Sequence, residues 1–128
     1  FLFMMCFVGM PTIFYGDELG VQGIREEEYR APMPWKGGDM ALPGFFRKAI
    51  AMRHALSPLR NGTFQMLSAE EGSRVIRFRR YTGTSSVTVS INAGKTDAAV
   101  SSSEETLYWA EGLQNGVLSP GGFSVTYR

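Results

Sequence analysis

The sequence is short of the residues that most often carry chemistry or cross-links. It has one cysteine, Cys6, and one histidine, His54. A lone cysteine cannot close an internal disulfide, and Cys6 lies in an apolar run where a packed thiol is the common case. That fits a reducing compartment and favours the cytoplasm, although a secreted protein without disulfides has the same composition. His54 has no cysteine, histidine or carboxylate at metal-ligand spacing, so neither a metal nor a cofactor is expected. An excess of charge is also missing. Thirteen basic and twelve acidic residues leave a net charge of +1, too little for a phosphate-backbone binder, so no nucleic-acid partner is expected. No apolar run is long enough to cross a bilayer. Phe1–Val8 is cut by Gly9 and Pro11 far below the roughly 20 residues needed, and it lacks the flanks of a signal peptide. No membrane partner is expected, and no internal repeat is present.

What is there reads as globular. Hydrophobic residues make up 44% and charged residues 20%, enough to bury a core. The organising stretch runs from Gly9 to Gly20. Pro11 has no N–H to give and pushes Met10 toward an extended backbone, ending the apolar helix before it. Thr12–Tyr15 is β-branched and aromatic, too short for a helix, and reads as a strand buried on both faces. Gly16 ends it, and Asp17 and Glu18 follow. Adjacent residues on an extended chain point opposite ways, so these two acids suit structural support better than a shared acid pair.

Beyond Asp17 a long loop runs to about Pro43, and long loops inside compact domains are usually functional. A helix follows, with Phe45, Ala49, Met52, Leu56 and Leu59 forming one stripe, widened by Phe46 and Ile50. Ser57-Pro58 ends it. After Gly62 the period changes to two. Strands are expected at Thr63–Leu67, Arg74–Tyr81 and Ser86–Asn92, more weakly at Ala98–Ser101 and Leu107–Trp109, and finally at Phe123–Tyr127. Turns fall at Glu70-Glu71-Gly72 and Thr82-Gly83-Thr84, and at Asn115-Gly116 and Gly121-Gly122, which flank Val117-Leu118 and set it apart from the last strand, with a polar loop at Ser101–Glu105. Short strands at this spacing indicate an antiparallel sandwich.

Three segments in order resemble one family. Gly9-Met10-Pro11-Thr12-Ile13-Phe14-Tyr15-Gly16-Asp17-Glu18 resembles the last barrel strand of the α-amylase superfamily (glycoside hydrolase family thirteen). Arg30-Ala31-Pro32-Met33-Pro34-Trp35 is similar to the Arg-x-Pro-Met-x-Trp signature of neopullulanases and cyclomaltodextrinases. Phe45–Arg53 with Leu59–Gly62 resembles the final barrel helix and its exit, and Val75–Arg80 with Val87–Asn92 the start of the carboxy-terminal sandwich. The implied fold is an α+β fragment: the last strand and helix of a (β/α)8 TIM barrel over residues 1–62, then an all-β antiparallel sandwich over residues 63–128. The resemblance implies an α-glucan oligosaccharide as the substrate of the parent enzyme. It also implies that the catalytic Asp, Glu and second Asp belong to the fourth, fifth and seventh barrel strands. None of them matches a residue here, so no catalytic residue is assigned. The chain is expected to be part of a larger enzyme and inactive alone. The rival reading is a non-catalytic carbohydrate-binding or interaction module built on the sandwich.

Three residues stand out as substrate contacts. Glu26 and Arg30 are four apart and can pair on one helical turn. The resemblance implies that this arginine, steadied by the acid, touches sugars. A plain surface pair is the alternative, and the family's usual Asp is here Glu. Trp35 is either a stacking platform for a sugar ring or a loop anchor packed against the barrel, the anchor being favoured. The arginines at 74, 77, 79 and 80 read as a solvated sheet face, and Tyr108 with Trp109 as core packing rather than a starch-binding platform. Phe1–Val8 and the helix stripe leave a large apolar surface without a barrel, so association into a homo-oligomer is expected.

Overall fold

The computed structural model describes residues 1–36, 41–69, 74–100 and 104–128. The Glu70-Glu71-Gly72 turn and Ser101–Ser103 of the polar loop lie outside those residues.

Helical segments come first. The apolar run forms α1 (Leu2–Cys6), and α2 (Glu26–Tyr29) is a single turn in the long loop. The striped helix is α3 (Leu42–Ala55). Pro43 sits in its first turn, where a missing N–H is not needed. The helix breaks at Leu56, whose backbone is extended, and α4 (Ser57–Asn61) restarts with Pro58 in its own first turn. The stripe survives the break, because Ala49, Met52 and Leu59 are all fully buried.

Six strands follow: β1 (Thr63–Ser68), β2 (Val75–Tyr81), β3 (Ser86–Asn92), β4 (Ala98–Ala99), β5 (Thr106–Gln114) and β6 (Val117–Tyr127). Every pairing is antiparallel. The order is β1-β2-β3-β6-β4, with β5 also on β6. Since β3 and β5 both pair with Phe123–Tyr127, they occupy opposite edges of β6.

Among the described residues the strands of the expected antiparallel sandwich are hydrogen-bonded into one curled sheet of six strands. The cause lies in β6. Val117-Leu118 and Phe123–Tyr127, read from sequence as separate segments, are one strand of 11 residues. It passes through Pro120-Gly121-Gly122, with Gly121 at φ +75. Pro120 falls in the gap of the β5–β6 ladder between Leu118 and Phe123, where it owes no hydrogen bond.

The strand expected at Thr12–Tyr15 does not form. The run has no ladder partner among the described residues, and Ile13, Phe14 and Tyr15 are 37%, 51% and 44% exposed. A strand of a parallel sheet needs neighbours on both edges to satisfy its backbone. With none beside it, β propensity alone leaves an unpaired extended segment.

Helices and sheet share one core. Leu2, Met5 and Cys6 of α1, Ala49 and Met52 of α3, and Leu59 of α4 pack with Phe78, Val87, Val89, Trp109, Phe123 and Val125 of the sheet. Burying each large side chain contributes about 1.5–3 kcal/mol. The cluster thus draws on residues before and after Gly62. In β2, strand alternation puts Phe78 and Arg80 on the core face and Arg77 and Arg79 on the other.

Candidate functional site

The loop after Gly16 carries all three residues singled out from the sequence. Gly16 has φ +92, and a Cβ there would meet Val21 Cγ2 at 2.9 Å, so only glycine makes this turn. Asp17 Oδ2 accepts the Phe14 N–H at 3.2 Å, and Glu18 Oε2 accepts the Gly16 N–H at 3.0 Å. Both acids are bound to the turn itself.

The next turn is built on Glu28. Its Oε2 accepts the N–H groups of Ile24 at 2.8 Å and Arg25 at 3.3 Å, and its Oε1 accepts Arg25 Nε at 3.1 Å. The Ile24 N–H, then the Arg25 N–H, then the Arg25 side chain hold the Glu28 carboxyl below the usual carboxylate range. This cap starts α2 and sets Glu26 and Arg30 one turn apart. Arg30 Nη1 lies 2.8 Å from Glu26 Oε1, and the two side chains are 67% and 58% exposed. Tyr15 Oη donates to the Ala31 carbonyl at 3.4 Å and ties the loop back to the organising stretch.

Trp35 lies on the same loop with 85% of its surface exposed, so it does not anchor the loop on the described residues. Its backbone N–H donates to the Met33 carbonyl at 3.0 Å. The structure therefore joins Glu26 to Arg30 and leaves Trp35 open to solvent. None of the three lines the adjacent groove of about 400 Å3, where Ile13, Phe14, Tyr15 and Glu18 face Phe46 and Ile50 of α3.

The sheet corrects a second expectation. Arg80, read as part of a solvated face, is only 2% exposed. Its guanidinium donates to the carbonyls of Cys6 at 3.2 Å, Phe7 at 2.8 Å, Leu59 at 3.1 Å and Gly62 at 3.3 and 2.8 Å. The signal was present in the alternation, since Arg80 shares a face with Phe78. Buried carbonyls at helix ends leave acceptors that only a side chain can fill. Trp109 is buried as expected, 5.0 Å from the Phe45 ring and 4.9 Å from Phe123, with Lys48 Nζ 4.4 Å from its centroid. Tyr108, expected to pack with Trp109, is instead exposed, because its neighbour on the strand takes the inward face. His54 is exposed on α3, and among the described residues no group of three His, Cys, Asp or Glu converges on a metal-sized site. No described helix is long and apolar enough to cross a membrane.

No protein-family model matches the chain. It is 36% identical over 96 residues to a cyclomaltodextrinase of Bacillus sp, an alignment covering 73% of this chain and 17% of that protein. It is 35% identical over 81 residues to neopullulanase 2 of Thermoactinomyces vulgaris, covering 62% of this chain and 14% of the relative. The chain belongs to the α-amylase superfamily. Its fold agrees with solved members of that superfamily. A maltogenic amylase from S. marinus matches 98% of the chain with a TM-score of 0.82 at 24% identity, and a cyclomaltodextrinase matches 99% with a TM-score of 0.79 at 29% identity. The chain spans 18% and 24% of those two superfamily structures and corresponds to a carboxy-terminal portion of such enzymes.

Proposed function

We propose that this chain forms the carboxy-terminal part of an α-amylase-type glycoside hydrolase acting on α-glucans such as starch, pullulan or cyclodextrin-derived oligosaccharides. In this reading residues 1–62 complete a catalytic barrel and residues 63–128 form its carboxy-terminal β domain. The observation that carries it is the Glu26–Arg30 pair, held at 2.8 Å on an exposed loop in a chain 36% identical to a cyclomaltodextrinase.

The division of labour follows from the carboxylates. Retaining glycoside hydrolysis needs two carboxyl groups flanking one bond. Asp17, Glu18 and Glu28 are engaged with backbone N–H groups of their own turns, and Glu26 with Arg30. The loop is suited to holding sugar rather than breaking bonds. A guanidinium offers several donors in a fixed fork to neighbouring hydroxyls, and Trp35 offers an open ring face. A reducing-sugar assay of this chain alone on maltotriose should read no more than a blank.

Contacts of Arg30 with sugar would be made in ground state and transition state alike, so their loss raises KM and leaves kcat little changed. The test is Arg30→Ala in the full-length enzyme, on maltotriose and longer glucans. The expected loss is about 1–3 kcal/mol, roughly fivefold to 150-fold in KM. A collapse of kcat on every substrate with folding intact would give Arg30 a part in the chemistry and overturn this account of the loop.

A further inference from the structure

Glu26, Glu27 and Glu28 stand in a row, and they are not equivalent. Glu26 reaches forward along α2 and lies 2.8 Å from Arg30 Nη1. Glu27 is exposed. Glu28 reaches backward, into the turn before the helix. Its Oε2 accepts the Ile24 and Arg25 N–H groups at 2.8 and 3.3 Å, and its Oε1 accepts Arg25 Nε at 3.1 Å. Arg25 Nη2 also lies 3.1 Å from that oxygen, as a second contact of the same guanidinium.

The turn that presents Arg30 cannot hold itself. α2 has 4 residues, and a first helical turn fixes several residues for a single hydrogen bond, so a segment this short does not persist unaided. Its backbone supplies the Arg30 N–H to the Glu26 carbonyl and the Glu28 N–H to the Arg25 carbonyl, each at 3.0 Å. The Glu26–Arg30 pair adds little, because both side chains are more than half exposed. Glu28 supplies what is missing. A glutamate at the third helical position that reaches back to the N-cap N–H closes the helix start. At the far end the Tyr15 hydroxyl donates to the Ala31 carbonyl at 3.4 Å. Arg30 thus stands between one tie at Glu28 and another at Ala31.

We propose that Glu28 is a positioning residue for sugar binding, which touches no sugar itself and sets the affinity of the loop by keeping Arg30 in its turn before a ligand arrives. The proposal rests on the reading of Arg30 as a sugar contact. The Glu28 oxygens already accept donors from their own turn, whereas a guanidinium has donors to offer and no acceptor to fill. Its planar fork must be oriented to meet neighbouring hydroxyls together, and a side chain that is already placed loses less freedom on binding. Ground state and transition state need this order equally, so its loss shows in KM and not in kcat.

The test measures KM and kcat of the full-length enzyme on maltotriose and longer glucans for Glu28→Gln, Glu28→Ala, Arg30→Ala and the Glu28→Ala/Arg30→Ala double variant. Glu28→Ala should raise KM about twofold to tenfold with kcat little changed. Glu28→Gln keeps an amide oxygen for the Ile24 N–H and should raise KM less. In the Arg30→Ala background Glu28→Ala should add nothing further, because it acts only through the arginine. Melting temperatures should stay at that of the parent enzyme, since the cap lies on an exposed turn. A KM raised by Arg30→Ala and unmoved by Glu28→Ala overturns this proposal alone. So does a Glu28→Ala effect that persists in full without Arg30, a fall of kcat on every substrate, or a rise in KM that tracks a lowered melting temperature. A KM unmoved by Arg30→Ala overturns the sugar-contact reading itself, and this proposal with it.

Discussion

Arg53 and Arg80 converge on one atom. The carbonyl oxygen of Phe7 accepts Arg80 Nη1 at 2.8 Å and Arg53 Nη1 at 3.3 Å. Arg80 reaches it from the sheet and Arg53 from α3. Arg53 also donates to the carbonyls of Met5 and Gly9, both at 2.7 Å. The last carbonyls of a helix have no partner within it, and cations there meet the negative end of the helix dipole. With 5 residues, α1 is too short to persist without such support. Burial, and then the charge of Arg53, lower the pKa of Arg80, but a guanidinium starts so high that it stays charged at neutral pH.

Removing Arg80 should therefore separate sheet from helices. Arg80→Met keeps the stem and strips the carbonyls of Cys6 and Leu59 of a buried donor. The expected loss is about 3–5 kcal/mol, read from urea denaturation. Arg53→Ala, at a half-buried position, should cost less, about 1–2 kcal/mol. Equal stability of Arg80→Met and the parent chain would show that the carbonyls find other donors and that the node does not hold the layers together.

Cys6 sits inside the same node, fully buried. Burial pushes its thiol from 9.0 up to about 12, and the charges of Arg53 and Arg80 pull the other way only in part. At neutral pH it should resist thiol reagents until the chain unfolds. The linkage has a definite sign. From pH 9 to about 12 the unfolded chain gives up the thiol proton while the folded chain keeps it, so stability is intact below pH 9 and falls as pH rises through that window. The slope expected from this group is at most about 1.4 kcal/mol per pH unit. Urea midpoints of the parent and Cys6→Ala between pH 8 and 10.5 measure it. A parent that loses no more than the variant would show that the thiol is not the titrating group.

Much of this was legible in the residues. The stripe from Phe45 to Leu59 and the alternation in Ser86–Asn92 are local periodicities that the tertiary structure reinforces. What failed depended on neighbours. Thr12–Tyr15 has strand propensity, but a strand exists only with a partner. Arg80 was misjudged by charge, although its register beside Phe78 put it in the core. The join of Val117-Leu118 to Phe123–Tyr127 was hidden by Pro120-Gly121-Gly122, a turn signal in most settings and here a bend within one strand. In the candidate site, the i, i+4 spacing of Glu26 and Arg30 was readable. The exposure of Trp35 was not, because it depends on what the loop packs against.

The apolar surface left by the unpaired segment should promote association. Met10 and Ile24 are 90% and 97% exposed, and Phe14 and Tyr15 stand beside the groove over α3. Contiguous apolar patches of a few hundred Å2 or more tend to be covered. Light scattering of the isolated chain should show dimers or larger forms that dissociate on dilution. Phe14→Ser together with Ile24→Ser should shift the population toward monomer. A clean monomer of the parent chain at high concentration would mean that these side chains fold back on their own surface.

The Glu26–Arg30 pair should matter little to folding, and this makes its functional test readable. Both side chains are more than half exposed, and an exposed i, i+4 ion pair contributes about 0.3–0.5 kcal/mol. A double-mutant cycle with Glu26→Gln and Arg30→Ala, followed by urea denaturation, should give a coupling energy in that range, falling further at about 0.5 M salt as screening grows. Glu28 behaves differently on the same turn. Its carboxylate caps α2 through three hydrogen bonds, so Glu28→Gln should loosen the turn and lower the helical population around Arg30 in NMR secondary shifts. Because the Glu28 pKa is depressed, the cap is complete above the ordinary carboxylate value and is lost as pH falls through the depressed one. A loss in Arg30→Ala of several kcal/mol of stability would place the arginine among the structural residues of the chain. A rise in KM in that variant would then report a disordered loop, and the assignment of Arg30 to sugar contact would fall.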